Sequence, residues 1–221
     1  MSPKLIVLLA IFSLQCLLAL ASDPDPVQDF CIPNPKYGAI RPARFTILPC
    51  KNSSEATTDD FVFSSMKSAG NFSETGLATI PVNPANFPGL NTLGMSFVRA
   101  DLKAGAINPP HFHPRATEIT HVVQGSVYSG FVDSSNRVFA RVLEQGDVMI
   151  FPRGLAHFQM NVGDKPSTVF GSFNSQNPGS QKIPTAIFGS GIDDELLEKA
   201  FGLSPKQIGM LKKGLIPKGL N

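Results

Sequence analysis

Hydrophobic and polar positions divide the chain into stretches of different period. Residues 5–20 form an almost unbroken apolar run, interrupted by Ser13 and Gln15. From Leu93 onward, short branched and aromatic runs alternate with Gly, Pro, Asn and Asp breaks. These runs cover residues 94–102, 117–132, 138–143, 148–151, 156–162 and 168–172. Many short strands with turn punctuation predict an all-β sandwich or barrel. The period then lengthens. Asp193 can cap a helix through Phe201, with Gly202 as its stop. Ser204-Pro205-Lys206-Gln207 reads as a capping box with Pro at the first helical position. It opens a second helix that runs to about Lys213, before Gly214. Leu196, Leu197, Ala200, Phe201, Ile208, Met210 and Leu211 supply apolar contacts. Two such short helices bury little alone. They fold onto the barrel or dock on another subunit.

The N-terminal run has a different meaning. Lys4 precedes it, and Ala19-Leu20-Ala21 is a small-x-small cleavage site, so residues 1–21 read as a secretory signal peptide. The run is shorter than the ~20 residues a membrane span needs. Asp23-Pro24-Asp25-Pro26 follows at once, and no membrane anchor is expected. Cleavage after Ala21 leaves 200 of the 221 residues, enough for one all-β domain and a modest appendage. Residues 22–55, rich in Pro, Asp and Asn, read as an irregular arm. Residues 56–190 hold the barrel, although 56–90 show mainly polar runs and turn signals such as Asn83-Pro84. Residues 191–221 form a helical extension.

Charge and cysteine content narrow the class. The formal charge is +2, or +1 without Lys4, and no Lys/Arg cluster lies along the barrel. A nucleic-acid partner is therefore not expected. Of three cysteines, Cys16 leaves with the signal peptide. Cys31 and Cys50 remain as an even pair in an oxidising compartment and read as a disulfide. Asn52 and Asn71 begin glycosylation sequons.

Two of only four histidines form His111-Phe112-His113, preceded by Pro109 and Pro110. The prolines oppose helix and favour extended chain. In a strand, residues i and i+2 share a face, so both imidazoles project together. Glu118 follows a bend at Pro114-Arg115 that can turn its carboxylate inward. His157 begins a strand after Pro152-Arg153-Gly154, and a hairpin can bring it opposite the pair. An isolated H-x-H fits a structural role as well as chelation. The full spacing carries more. Gly105, His111, His113, Glu118 and Gly125 are separated by five, one, four and six residues. Gly146, Pro152, Gly154, His157 and Asn161 are separated by five, one, two and three. His121, three residues after Glu118, points the other way in a continuous strand and reads as structural or surface.

These two blocks resemble the paired motifs of the cupin superfamily. More narrowly, Pro109 to Glu118 (PPHFHPRATE), Pro152 to His157 (PRGLAH), SFNSQNPG at 172–179 and DPDPVQDFC at 23–31 resemble the germin and germin-like branch. The resemblance spans essentially all of the mature chain. It implies a jelly-roll β-barrel with manganese held inside by His111, His113, Glu118 and His157. It also implies a disulfide-clipped arm, a secreted glycoprotein, and a homo-hexamer built as a trimer of dimers, with C-terminal helices clasping neighbours. Imidazole and carboxylate donors suit manganese and iron alike. Zinc more often closes its site with four ligands. A metal preferring six ligands keeps positions open for substrate.

Three functions follow as expectations. The first is a redox enzyme of superoxide dismutase type, producing hydrogen peroxide in the apoplast and cell wall, with a defence role. The second is oxalate oxidase. Germins with that activity resemble one another in two pocket asparagines. One matches Asn108, and the other falls at Val98, which lacks the amide. The third is a non-catalytic, metal-containing binding or wall-associated barrel. Fold does not choose among them. No Ser/His/Asp or Cys/His set can be assembled while three of the histidines bind metal.

Overall fold

The structure is a computed structural model that describes residues 28–34 and 49–215. The expected signal peptide and the rest of the arm lie outside the described residues. Among the described residues, ten strands form two five-stranded sheets. They are β1 (Leu77–Val82), β2 (Ser96–Leu102), β3 (Ile107–Phe112), β4 (Glu118–Gln124) and β5 (Val127–Val132). Then come β6 (Val138–Leu143), β7 (Val148–Phe151), β8 (His157–Asn161), β9 (Ser167–Phe173) and β10 (Gln181–Lys182). One sheet has the order β1-β2-β9-β4-β7 and the other β10-β3-β8-β5-β6. All pairings are antiparallel. This is the jelly-roll architecture expected of the sequence.

Alternation sets which side chains enter the barrel. In β4, Glu118, Thr120 and Val122 are buried while Ile119 and His121 are exposed. In β8, His157, Gln159 and Asn161 are buried. One end of the interior is apolar, built from Leu77, Ala100, Leu102, Ala106, Val122, Val127, Leu143 and Val169. The other end holds the histidines.

Three local expectations are corrected. The strands do not begin near Leu93, where the alternating runs start in the sequence, because β1 already pairs with β2 from Leu77↔Leu102 to Val82↔Phe97. Pro81 hid this strand, yet an edge strand tolerates a residue that cannot donate to the ladder. The link from β7 to β8 is a crossover between sheets rather than a hairpin. Helix α1 (Ile183–Phe188) precedes the two expected helices, α2 (Asp194–Phe201) and α3 (Pro205–Leu215). As read from sequence, the Asp193 side chain accepts from Leu196 N, and Gly202 closes α2 at φ 64°. Gln207 Oε1 accepts from Ser204 N at 2.9 Å. Helix α3 continues through Gly214. Helices α2 and α3 lie against each other, with Leu197 and Ile208 buried, whereas Leu196, Phe201 and Met210 remain exposed.

Cys31 and Cys50 form the disulfide, with Cα atoms 5.0 Å apart. Flanking backbone bonds from Asn34 N to Pro49 O and from Lys51 N to Ile32 O, each 2.9 Å, continue the clip. Asn91 Nδ2 donates to Cys31 O at 2.9 Å and ties it to the barrel.

Candidate metal centre

The diproline makes the site possible. β3 pairs with β8 as Ile107↔Met160 and Asn108↔Gln159, then shifts register to His111↔His157. Positions 108 and 111 have opposite parity, so an unbroken strand would point them to opposite faces. A bulge between them absorbs Pro109 and Pro110, which cannot serve a regular ladder. Asn108 and His111 consequently line the same cavity. His113 follows just beyond β3, and the turn at Pro114-Arg115 carries the chain to the other sheet. There Glu118 opens β4 on its inward face. His157 opens β8 directly opposite His111.

All four side chains are buried. Each offers one ligand atom, and these atoms lie within 4.8 Å of one another. The imidazoles are oriented from behind. His111 Nδ1 donates to Pro109 O at 2.9 Å, His157 Nδ1 to Leu155 O at 2.9 Å, and His113 Nδ1 to Gly179 O. A carbonyl oxygen only accepts, so each Nδ1 carries the proton and each Nε2 is the atom left for a ligand. Glu118 is divided in the same way. Its Oε1 accepts from Thr120 Oγ1 at 2.8 Å. Its Oε2 has no hydrogen-bond partner, nor does His157 Nε2, and both are fully buried. His113 Nε2 and His157 Nε2 stand 3.1 and 3.2 Å from Oε2 without hydrogen-bond geometry. Buried polar atoms left this way cost free energy unless a cation joins them.

The electrostatics fit a cation. Burial, then repulsion from His157, pushes the His111 imidazole down to about 4, so it is neutral at neutral pH. Burial opposes charge on Glu118, but the His113 and His157 imidazoles beside it outweigh burial. With protons on their Nε2 atoms, the state a bound cation would replace, they hold its carboxyl well below the usual carboxylate range. Three imidazole nitrogens and one carboxylate oxygen are a donor set for a divalent metal such as manganese or iron.

A cavity of about 640 Å³ opens onto this cluster. Val98 and Asn108 both line it. Asn108 Nδ2 donates to Gln159 Oε1 at 2.7 Å. Gly171 is required between Val98 and Glu118. A Cβ there would stand 2.5 Å from Glu118 Oε1 and 2.8 Å from Val98 Cγ1.

The structure thus brings together the four residues expected to hold metal and places both pocket positions beside them. It excludes His121, which is exposed on the outer face of β4. Asn52 and Asn71 are exposed. Thr120, Gln159, Gly171 and Gly179 were missed by sequence reasoning. Two of them were within reach, because Thr120 and Gln159 lie two residues beyond Glu118 and His157 on the same faces. Gly179 acts through its backbone carbonyl, which no side-chain motif reveals.

Comparison with known proteins identifies the family. The cupin family pattern matches residues 63–209. Germin-like protein subfamily 3 member 2 of Arabidopsis thaliana is 68% identical over 199 residues, covering 90% of this chain and 88% of its own. Germin-like protein 2-4 of Oryza sativa subsp. japonica is 56% identical over 205 residues, covering 90% and 89%. Among solved structures, an oxalate oxidase superposes with a TM-score of 0.81 at 38% identity, covering 90% of this chain and 100% of its own. A recombinant oxalate oxidase in complex with glycolate gives 0.80 at 39%, covering 88% and 98%. By fold and sequence, this chain belongs to the germin-like proteins of the cupin family.

Proposed function

We propose that this protein is a secreted manganese-binding redox enzyme of superoxide dismutase type, with His111, His113, Glu118 and His157 as the metal ligands. The observation that carries this reading is the clustering of the three imidazoles within 4.8 Å of the Glu118 carboxylate, two Nε2 atoms facing its unpartnered buried oxygen and every Nδ1 anchored on a backbone carbonyl. A manganese ion held there supplies reversible one-electron chemistry. The chain's own part is to fix the ligand rotamers, keep His111 neutral, and leave a cavity through which a small anion reaches the cluster. In the net reaction two superoxide ions and two protons give dioxygen and hydrogen peroxide.

The second reading is oxalate oxidase, favoured by the identity of the solved structures that superpose on this chain. Val98 weighs against it, since a valine beside Glu118 offers no hydrogen bond to a second oxygen pair. Turnover of superoxide and of oxalate, measured on one metal-quantified sample, separates the readings. Superoxide loss with peroxide formation supports the first, and oxalate-dependent peroxide supports the second. Stoichiometric metal with neither activity leaves a binding or wall-associated role.

The location and assembly belong to the same proposal. A disulfide suits an oxidising compartment such as the apoplast or cell wall. Among the described residues, no helix is long and apolar enough to cross a membrane. Exposed Leu196, Phe201 and Met210 on α2 and α3 suit docking on neighbouring copies in a homo-hexamer, a trimer of dimers.

A further inference from the structure

We infer that the Cys31–Cys50 disulfide is a redox switch on the wall of the cavity over the His/Glu cluster, acting through Asn91, Thr92 and Gln176. The inference concerns the wall and does not depend on what the cluster holds.

The two cysteines are unequally placed. Cys31 is buried and Cys50 is exposed. A dithiol reductant therefore has access to the Cys50 sulfur. Its thiolate attacks there, the S–S bond breaks, and Cys31 leaves as a thiolate that takes up a proton. The second thiol of the reductant then displaces Cys50. The reductant ends as a disulfide and the chain as two thiols. Exposed disulfides are the labile ones.

A short run of hydrogen bonds leads from Cys31 to the cavity. Asn91 Nδ2 donates to Cys31 O at 2.9 Å, across a separation of 60 residues. The next residue, Thr92, donates its backbone N–H to Gln176 Oε1 at 2.7 Å. Gln176 lines the cavity, and the same segment carries Gly179, whose carbonyl orients His113.

Thr92 is the element poised to move. Its φ is 67°, in the left-handed region that a β-branched residue rarely enters. Its Oγ1 is buried without a hydrogen-bond partner. Both features cost free energy, and such a residue persists only where its neighbours over-determine it. Asn91, held on Cys31 O, is one of those neighbours. Reduction lets Cys31 part from Cys50, the Asn91 tie loosens, and Thr92 relaxes away from Gln176. Asn136 also has a positive φ, but it is an asparagine in the β5–β6 turn and needs no such clamp.

Residue-resolved hydrogen exchange on the secreted protein, before and after treatment with dithiothreitol, tests this. The Thr92 amide should exchange about fivefold faster after reduction, the effect of losing one hydrogen bond, while amides of β4 and β8 keep their rates. Asn91→Ala, with the disulfide intact, should speed Thr92 in the same direction. On metal-loaded protein free of reductant, a chelator should extract the ion several-fold faster from Asn91→Ala than from the parent. A Thr92 rate unchanged by reduction, or by Asn91→Ala, overturns the inference. So does faster exchange spread equally over β4 and β8, which is general loosening. A faster Thr92 amide with unchanged metal extraction overturns the link to the cavity. Folded protein without metal defeats the metal reading alone, and the exchange rates still decide the switch.

Discussion

Asn161 and Glu118 are both buried polar residues on inward faces of the barrel, at opposite ends. Asn161 is fully partnered. Its Nδ2 donates to Leu102 O, Lys103 O and Lys165 O at 2.8–3.1 Å, and its Oδ1 accepts from Gly163 N at 2.9 Å. It closes the apolar end. Glu118 has one oxygen held by Thr120, and the other has no hydrogen-bond partner among the described residues, with only the His113 and His157 Nε2 atoms 3.1 and 3.2 Å away. The same strands thus carry a closed end that folds the protein and an open end whose unpaired atoms bind. β8 shows both in five residues, from His157 to Asn161. Thr92 Oγ1 and Ser167 Oγ are also buried without a partner, so the mark of the site is the clustering of unpaired Glu118 Oε2 and His157 Nε2 rather than an unpaired atom alone.

Predictions that break or sharpen this contrast run from large effects to small. His157→Ala should lower metal affinity by more than the roughly 10–100-fold that loss of an outer partner costs, while the metal-free fold persists. Competition with a chelator measures it, and an unfolded variant contradicts the separation of ends. Leu102→Ala, at the closed end, should cost about 3 kcal/mol of stability with unchanged metal content, as read by denaturant unfolding. The metal-free protein should lose stability in acid. Between pH 6.5 and about 4 the unfolded chain protonates at His111 and the folded chain does not, so stability falls as pH falls across that window. The full loss is about 3 kcal/mol. Glu118, depressed when folded, adds loss of the same sign below pH 4.5. Unfolding free energies that stay level from pH 7 to 4.5 contradict this.

Smaller effects test the supports. Arg115 holds Asn177 through Nε at 2.6 Å and Nη2 at 2.8 Å, two residues before the carbonyl that orients His113. Arg115→Ala should raise the metal off-rate about tenfold with a stability change near 1 kcal/mol. His121→Ala should change stability by less than about 0.5 kcal/mol and leave metal content unaltered.

The sequence made the clustered ligands readable because H-x-H on an extended chain fixes a shared face. The spacing to Glu118 and His157 repeats a family pattern. It also made β6 and β7 readable, since Val138–Leu143 and Val148–Phe151 are short apolar runs between turn residues. β1 was hidden by Pro81, whose missing N–H matters less at an edge. The β3 bulge was hidden because register depends on the partner strand. Helix α1 follows a two-residue strand with only Pro184 as a start signal. The anchors of the imidazoles are backbone carbonyls, and composition says nothing about where those point.

The most direct test of the central claim is the metal content of the protein as secreted, by elemental mass spectrometry on folded, unmodified material. Close to one manganese per chain is the predicted result. A folded protein carrying no stoichiometric metal would contradict it, and Oε2 of Glu118 would then need another partner.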